Sequence, residues 1–307
     1  MDVFAVAGGD GAGKTATALN LAVGLREAGA YAAVLDADLS GNVTSVLDVE
    51  YEATLEDVVE GESRARDAVV DVGLSTDTLP ESDLAAYHKA LAADRTQFRA
   101  GADQDEPETA EDEPDIDTLP VVAGFENRAD HTGTDPETLE SVLENFVMAY
   151  DVLVVDTGNG PASQSPTIDV ADGTLTVTTP DPAKMEAAHG DVRACTSAGT
   201  KLMGAVVNRA SDKTSISEVT ANVGAEAFGV IPEDARTQAL EPVFFSVPGS
   251  PAANAYGRLA EKTRTWDGTS ALVEQTTADG GDDPDTGATD DDSDDDDSGG
   301  FLSGLLG

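Results

Sequence analysis

Cysteine is almost missing. The single thiol, Cys195, excludes an internal disulfide and a paired-cysteine metal site, and its place in a helical pattern assigns it to core packing. The three histidines, His88, His131 and His189, lie too far apart for ligand spacing and read as ordinary polar residues. Long apolar runs are missing as well. There is no stretch of 18 apolar residues, and "MDVFAVAGGDGAGKT" runs from Met1 into a strand and a loop without a signal-peptide pattern, so the expected location is the cytoplasm. There are no internal repeats.

Bases are scarce in a way that matters more. Only 17 Lys+Arg, of which 6 are Lys, stand against 60 Asp+Glu, for a formal charge of -43. Residues 101–117 carry 9 acids and no base, residues 276–300 carry 11 and no base, and outside these tracts 40 acids still face all 17 bases. The body itself is therefore acidic. Together with an aromatic content of 5%, this resembles proteins of salt-in halophiles. In molar salt the Debye length falls to about 3 Å, which screens the self-repulsion such a surface would suffer in dilute buffer. Affinity for nucleic acid comes from bases on phosphates and decays with salt, so no nucleic-acid partner is expected.

What is present is an alternation of strands and helices. Apolar runs at 3–7, 31–38, 118–125, 151–158, 173–180, 201–209 and 227–234 read as strands. Helical patterns fill 14–28, 53–62, 136–149, 182–198, 215–223 and 251–262, with Ala18, Leu21, Ala22 and Leu25 on one face of the first. Most strands are continuous apolar runs, the mark of a parallel sheet covered on both sides. The expected fold is α/β: three layers, a doubly wound and mostly parallel sheet with helices on both faces. The 40% apolar fraction suffices for its core. The expected organisation is a domain over 1–266 with an acidic insertion at about 75–117, a disordered acidic linker over 267–300, and a short apolar motif at 301–307. The basic trio Arg258, Lys262 and Arg264 sits at the end of the last helix, where its dipole favours cations.

The chemistry gathers at strand ends. "GGDGAGKT" places Gly8, four residues, Gly13, Lys14 and Thr15 between a strand and an amphipathic helix. Glycines let backbone amides turn in around phosphate oxygens, the helix start adds partial positive charge, Lys14 reaches the outer phosphates, and the Thr15 hydroxyl can ligate magnesium. "LDADLSGN" puts Asp36 and Asp38 at the end of the second strand, and in "VLVVDTG" Asp156 follows four apolar residues. Carboxylates at such ends can hold magnesium directly or through water. Asp38 and Asp156 join Thr15 as the expected metal residues, and Asp36 stands further from the strand end.

Taken together, "GGDGAGKT", "LDADLSGNVTSVL", "YDVLVVDTG", "VVNR" and "GVIPEDARTQALEPVFFSVPGSPAANAYGRLAE" resemble the MinD/ParA-type P-loop ATPases over about residues 1–264, leaving aside the insertion. The resemblance implies ATP and Mg2+ as cofactors, and an ATPase that cycles between monomer and ATP-dependent homodimer to position cellular cargo through a protein partner. It implies a phosphate loop of Gly9, Asp10, Gly11, Ala12, Gly13, Lys14, Thr15 and Ala16, with Ala16 where a second hydroxyl often follows. Asp38, followed by Gly41 and Asn42, resembles the switch I aspartate that orients the attacking water, and Lys14 and Asp38 are the implied catalytic pair. Asp156 resembles the Walker B aspartate. Asn208, with Arg209 beside it, resembles the residue that reads adenine, and Pro232, Glu233 and Asp234 the loop beside the base.

The chain departs from that family at Gly9, where a lysine usually crosses to the partner's nucleotide, at Asp10, where a glycine is usual, and at Asn159, where an alanine is usual. Backbone contacts to phosphate do not need that lysine, so ATP binding is expected to persist and hydrolysis to be slow. The alternative reading is a nucleotide-binding regulatory module that does not hydrolyse. A metal-cluster carrier would need cysteines the chain lacks. At the far end, Phe301, Leu302, Leu305 and Leu306 share one side of a helical turn and a half. The segment is too short to bind a membrane alone; a frayed end, docking onto a partner protein or onto the protein's own body, and weak dimer-assisted membrane contact all remain open.

Overall fold

A computed structural model of the chain describes residues 2–38, 42–73, 118–124, 135–147, 149–158, 166–237 and 241–273. In chain order the strands and helices are β1 (Asp2–Gly8), α1 (Lys14–Glu27), β2 (Ala32–Asp36), α2 (Asn42–Val46), α3 (Leu55–Val59), β3 (Val69–Gly73), β4 (Thr118–Val122), α4 (Pro136–Val147) and β5 (Val152–Asp156). They continue with α5 (Pro166–Asp169), β6 (Gly173–Thr178), α6 (Pro182–Ala198), β7 (Leu202–Ala210), α7 (Ile216–Val223), β8 (Ala227–Pro232), α8 (Val243–Ser246) and α9 (Pro251–Arg264).

The strands form one eight-stranded sheet in the order β3-β4-β2-β5-β1-β6-β7-β8. All pairs are parallel except β3 with β4. β2, β5 and β6 are buried along their whole length, because helices cover both faces. On one face α1 and α9 pack over Phe4, Val6, Val34, Val154 and Val177. On the other, α3 and α4 cover Val3, Ala33, Leu35, Leu153 and Val155, while α6 and α7 cover Ala205 and Val207. Ala18, Leu21, Ala22 and Leu25 are all fully buried, as the helical pattern predicts. α1 also packs closely on α9: a Cβ on Gly24 would lie 2.9 Å from that of Ala260.

Cys195 lies in a small apolar cluster with Ala5, Ala7 and Ile168, and burial pushes its thiol up to about 11. Its assignment to the core holds. Lys262 donates to the Phe228 carbonyl at 3.1 Å and Arg264 pairs with Glu261, which accounts for two of the trio at the end of α9.

Two features depart from the sequence expectation. β3 lies in a stretch to which the sequence pattern assigns no element: Val69, Val70 and Val72 are half-buried, Asp71 and Gly73 are exposed, and the five residues owe their extended form to pairing with β4. Beyond Trp266 the chain keeps to the body as far as Val273, with Leu202 N–H donating to Ser270 Oγ and Glu226 N–H to the Ala271 carbonyl. The insertion at 75–117, His88, His131, Asn159 and the apolar residues of 301–307 lie outside the described residues.

Candidate functional site

β1 occupies the centre of the sheet, and its C-terminal end opens into the loop from Gly9 to Gly13. Gly8 and Gly13 have φ of 148° and 100°, and Gly13 forms the left-handed entry to α1. A side chain on Gly13 would run into the Asn208 amide. That amide, at the end of β7, donates to the Ala12 carbonyl at 3.0 Å, while Asn208 Oδ1 accepts the Arg209 N–H at 2.8 Å. Arg209, itself at a φ of 53°, turns its guanidinium back to the Gly11 carbonyl at 3.2 Å. Pro232 pairs with Ala210 across β8 and β7, and Glu233 N–H donates to the Ala210 carbonyl at 2.9 Å, so the Pro232–Asp234 segment borders Asn208 and Arg209.

At the start of α1, Lys14 is buried and its ammonium donates to the Gly9 carbonyl at 3.2 Å. Burial pushes it below its ordinary value, opposed by the charges of Asp156, Asp38, Asp10 and Asp191. Thr15 Oγ1 donates to Asp156 Oδ2 at 2.6 Å. Asp156 is fully buried, and its other oxygen accepts Gly158 N–H at 3.3 Å.

β2 and β5 set Asp36 and Asp156 side by side in register. Asp36 accepts from Thr44 N–H and Oγ1 at 3.1 and 3.2 Å and from Asp38 N–H at 3.2 Å. It therefore orders the turn that carries Asp38. Gly158 lies against that turn, where a Cβ would come 2.6 Å from Asp38 Cα. Burial raises Asp36 to about 6 and Asp156 to about 7, and in each case neighbouring carboxylates add to the effect. Thus Lys14, Thr15, Asp36, Asp38 and Asp156 come together from three strand ends. Gly41 lies outside the described residues.

These groups suit a hard divalent cation. Among the described residues no cluster of three or more His, Cys, Asp or Glu side chains forms a cage. Magnesium needs none, since it retains waters and takes one or two protein oxygens plus phosphates. Sequence reasoning missed Lys184. It stands in the first turn of α6, three residues after the Asp181 cap, and its ammonium donates to the Asp10 carbonyl. The cap in "DPAK" was legible, but its nearness to residue 10 follows from β6 lying beside β1.

A glycine loop between the central strand and a buried helix, flanked by carboxylates at neighbouring strand ends, is the architecture of the P-loop NTPases. The chain belongs to the CobQ/CobB/MinD/ParA nucleotide binding domain family, which residues 3–241 match. An uncharacterized ATP-binding protein of Methanocaldococcus jannaschii is 26% identical over 270 residues, 84% of this chain and 86% of the relative. Among solved structures, the septum site-determining protein MinD of Pyrococcus horikoshii, complexed with Mg-ADP, superposes with a TM-score of 0.64 at 21% identity, over 86% of this chain and 96% of that one. The cell division ATPase MinD of Pyrococcus furiosus gives 0.61 at 22%, over 86% and 98%. At these identities the solved structures establish the shared fold.

Among the described residues no helix is long and apolar enough to cross a membrane.

Proposed function

We propose that the chain binds ATP with Mg2+ and hydrolyses it slowly, as a nucleotide-dependent switch that positions cellular machinery through a protein partner and an ATP-dependent homodimer. The observation that carries this reading is the Thr15–Asp156 pair directly behind the loop, at 2.6 Å, with Lys14 buried beside it. A hydroxyl and a carboxylate so placed would hold magnesium directly or through water. Residues 9–16 hold the phosphates through backbone amides and Lys14. Asn208, Arg209 and the Pro232–Asp234 segment border the base. Magnesium held there would neutralise charge on the phosphates. Asp38, on the turn ordered by Asp36, orients the attacking water. The fold and the family support this, as does the Mg-ADP held by the MinD of Pyrococcus horikoshii.

Gly9 favours one competing reading, a regulatory module that binds the nucleotide without turnover. Steady-state phosphate release in molar KCl, measured for the parent and for Asp38→Ala, separates the two. Turnover by the parent with release at background for the variant is the expected result; equal background rates would remove the enzyme reading and leave the module.

A further inference from the structure

The place of the missing lysine is filled by another element. α6 follows β6, which pairs in parallel with β1, so the start of α6 stands beside the loop that leaves β1. Asp181 caps the helix, its Oδ1 accepting Ala183 N–H and Lys184 N–H at 2.9 and 3.3 Å, and this fixes the direction of the first turn. One turn contains two relevant side chains. Ala187 blocks position 9: a Cβ there would lie 2.8 Å from the Ala187 Cβ and 4.0 Å from Lys184 Cδ. Lys184 then crosses the loop, bonding the Asp10 carbonyl, and a Cβ on Gly11 would lie 3.6 Å from its ammonium.

The charges around the loop ask for such a group. Asp10 is an exposed carboxylate in a loop that must receive a polyanion, and like charges repel at that range. Lys184 bonds the carbonyl of residue 10, and Arg209, from β7, bonds that of residue 11. Of the two, Arg209 stands on the side of the loop that borders the base, and Lys184 on the side of position 9. Lys14 and the amides at the start of α1 serve the phosphates from within the loop, and Lys184, whose stem fills the space beside position 9, is placed to add a second ammonium at the terminal phosphate.

We propose that Lys184 contacts the terminal phosphate of the bound nucleoside triphosphate, supplying from the same chain the cation that a lysine at position 9 would otherwise bring. A lysine is suited to this exchange, because its ammonium on a four-carbon stem can leave a carbonyl for a phosphate oxygen without moving the helix. The assignment rests on the nucleotide-binding reading above.

The test measures equilibrium binding of Mg-ADP and of a magnesium-bound, non-hydrolysable ATP analogue in molar KCl. It compares the parent, Lys184→Ala and Lys184→Arg, with melting temperatures taken without nucleotide. The expected result is a loss of about tenfold in affinity for the triphosphate in Lys184→Ala, as for one charge-assisted hydrogen bond. Affinity for the diphosphate and the melting temperature stay close to the parent's, and Lys184→Arg recovers most of the loss. Equal affinities in the parent and Lys184→Ala would overturn the assignment, as would equal losses for both nucleotides. A parent that binds neither nucleotide would instead overturn the nucleotide-binding reading, and this proposal with it.

Discussion

Replacing Asp156 by Asn should stabilise the ligand-free protein at alkaline pH, although most core substitutions destabilise. Asp156 is fully buried, and burial first, then the Asp36 and Asp38 charges, raises its carboxyl from 3.8 to about 7. The folded state thus favours the neutral acid and the unfolded state the carboxylate. Stability from this group is complete below the unfolded value and is lost as pH rises towards 7. A difference of about 3 units at 1.36 kcal/mol each makes the cost at pH 8 about 4 kcal/mol. Asn keeps the carbonyl that accepts Gly158 N–H and can donate to the Thr15 hydroxyl, while losing the charge-assisted part of that bond, about 1 kcal/mol. The net gain of about 2–3 kcal/mol corresponds to roughly 5–10 °C in melting temperature for a domain of this size. At pH 5, where the parent's acid is already protonated in the fold, the gain shrinks to under about 1 kcal/mol. The assay is thermal unfolding in molar KCl from pH 5 to 8.5, with and without Mg-ATP. Added Mg-ATP should raise the parent's melting temperature far more than the variant's, since the proposed metal site needs the carboxylate. A variant less stable than the parent at pH 8, or a difference that does not change with pH, would refute the reasoning.

Two further outcomes follow from packing. Installing the missing lysine, Gly9→Lys, should lower the melting temperature, because overpacking against Ala187 costs about 1–3 kcal/mol; Ala187→Gly in the same chain should recover much of the loss, and a Gly9→Lys protein as stable as the parent would show that α6 yields freely. Cys195, buried with its thiol pushed up to about 11, should stay unreactive towards an aromatic disulfide reagent at pH 8 in the folded protein and react fully once unfolded, as measured by thiolate release.

Local signals made much of the site legible. The glycine spacing and the following helix identified the loop, because φ values of 148° and 100° at Gly8 and Gly13 need residues without a Cβ. Unbroken apolar runs marked the buried strands and placed Asp156 at the end of its own; the second strand, expected to reach Asp38, stops at Asp36, which is its last residue, because the chain turns there onto the Asp36 carboxylate. β3 was hidden, since a half-exposed strand with a charge in its centre has no pattern strong enough to stand out from a loop. The role of Asn208 was only half legible: the motif marked it, while its bond to the Ala12 carbonyl depends on how β7 meets the loop.

The sequence alone determined that this is an acidic α/β protein with a phosphate loop and no lysine at position 9, because composition, hydrophobic period and glycine spacing are properties of the chain read in order. Only the tertiary structure decided which cation stands at that loop and why position 9 carries no side chain. Lys184 and Ala187 are some 175 residues from Gly9 in the chain, and only the pairing of β6 with β1 brings them to it. Strand order is settled by the packing of both faces of the sheet, a balance spread over the whole core that no short segment records.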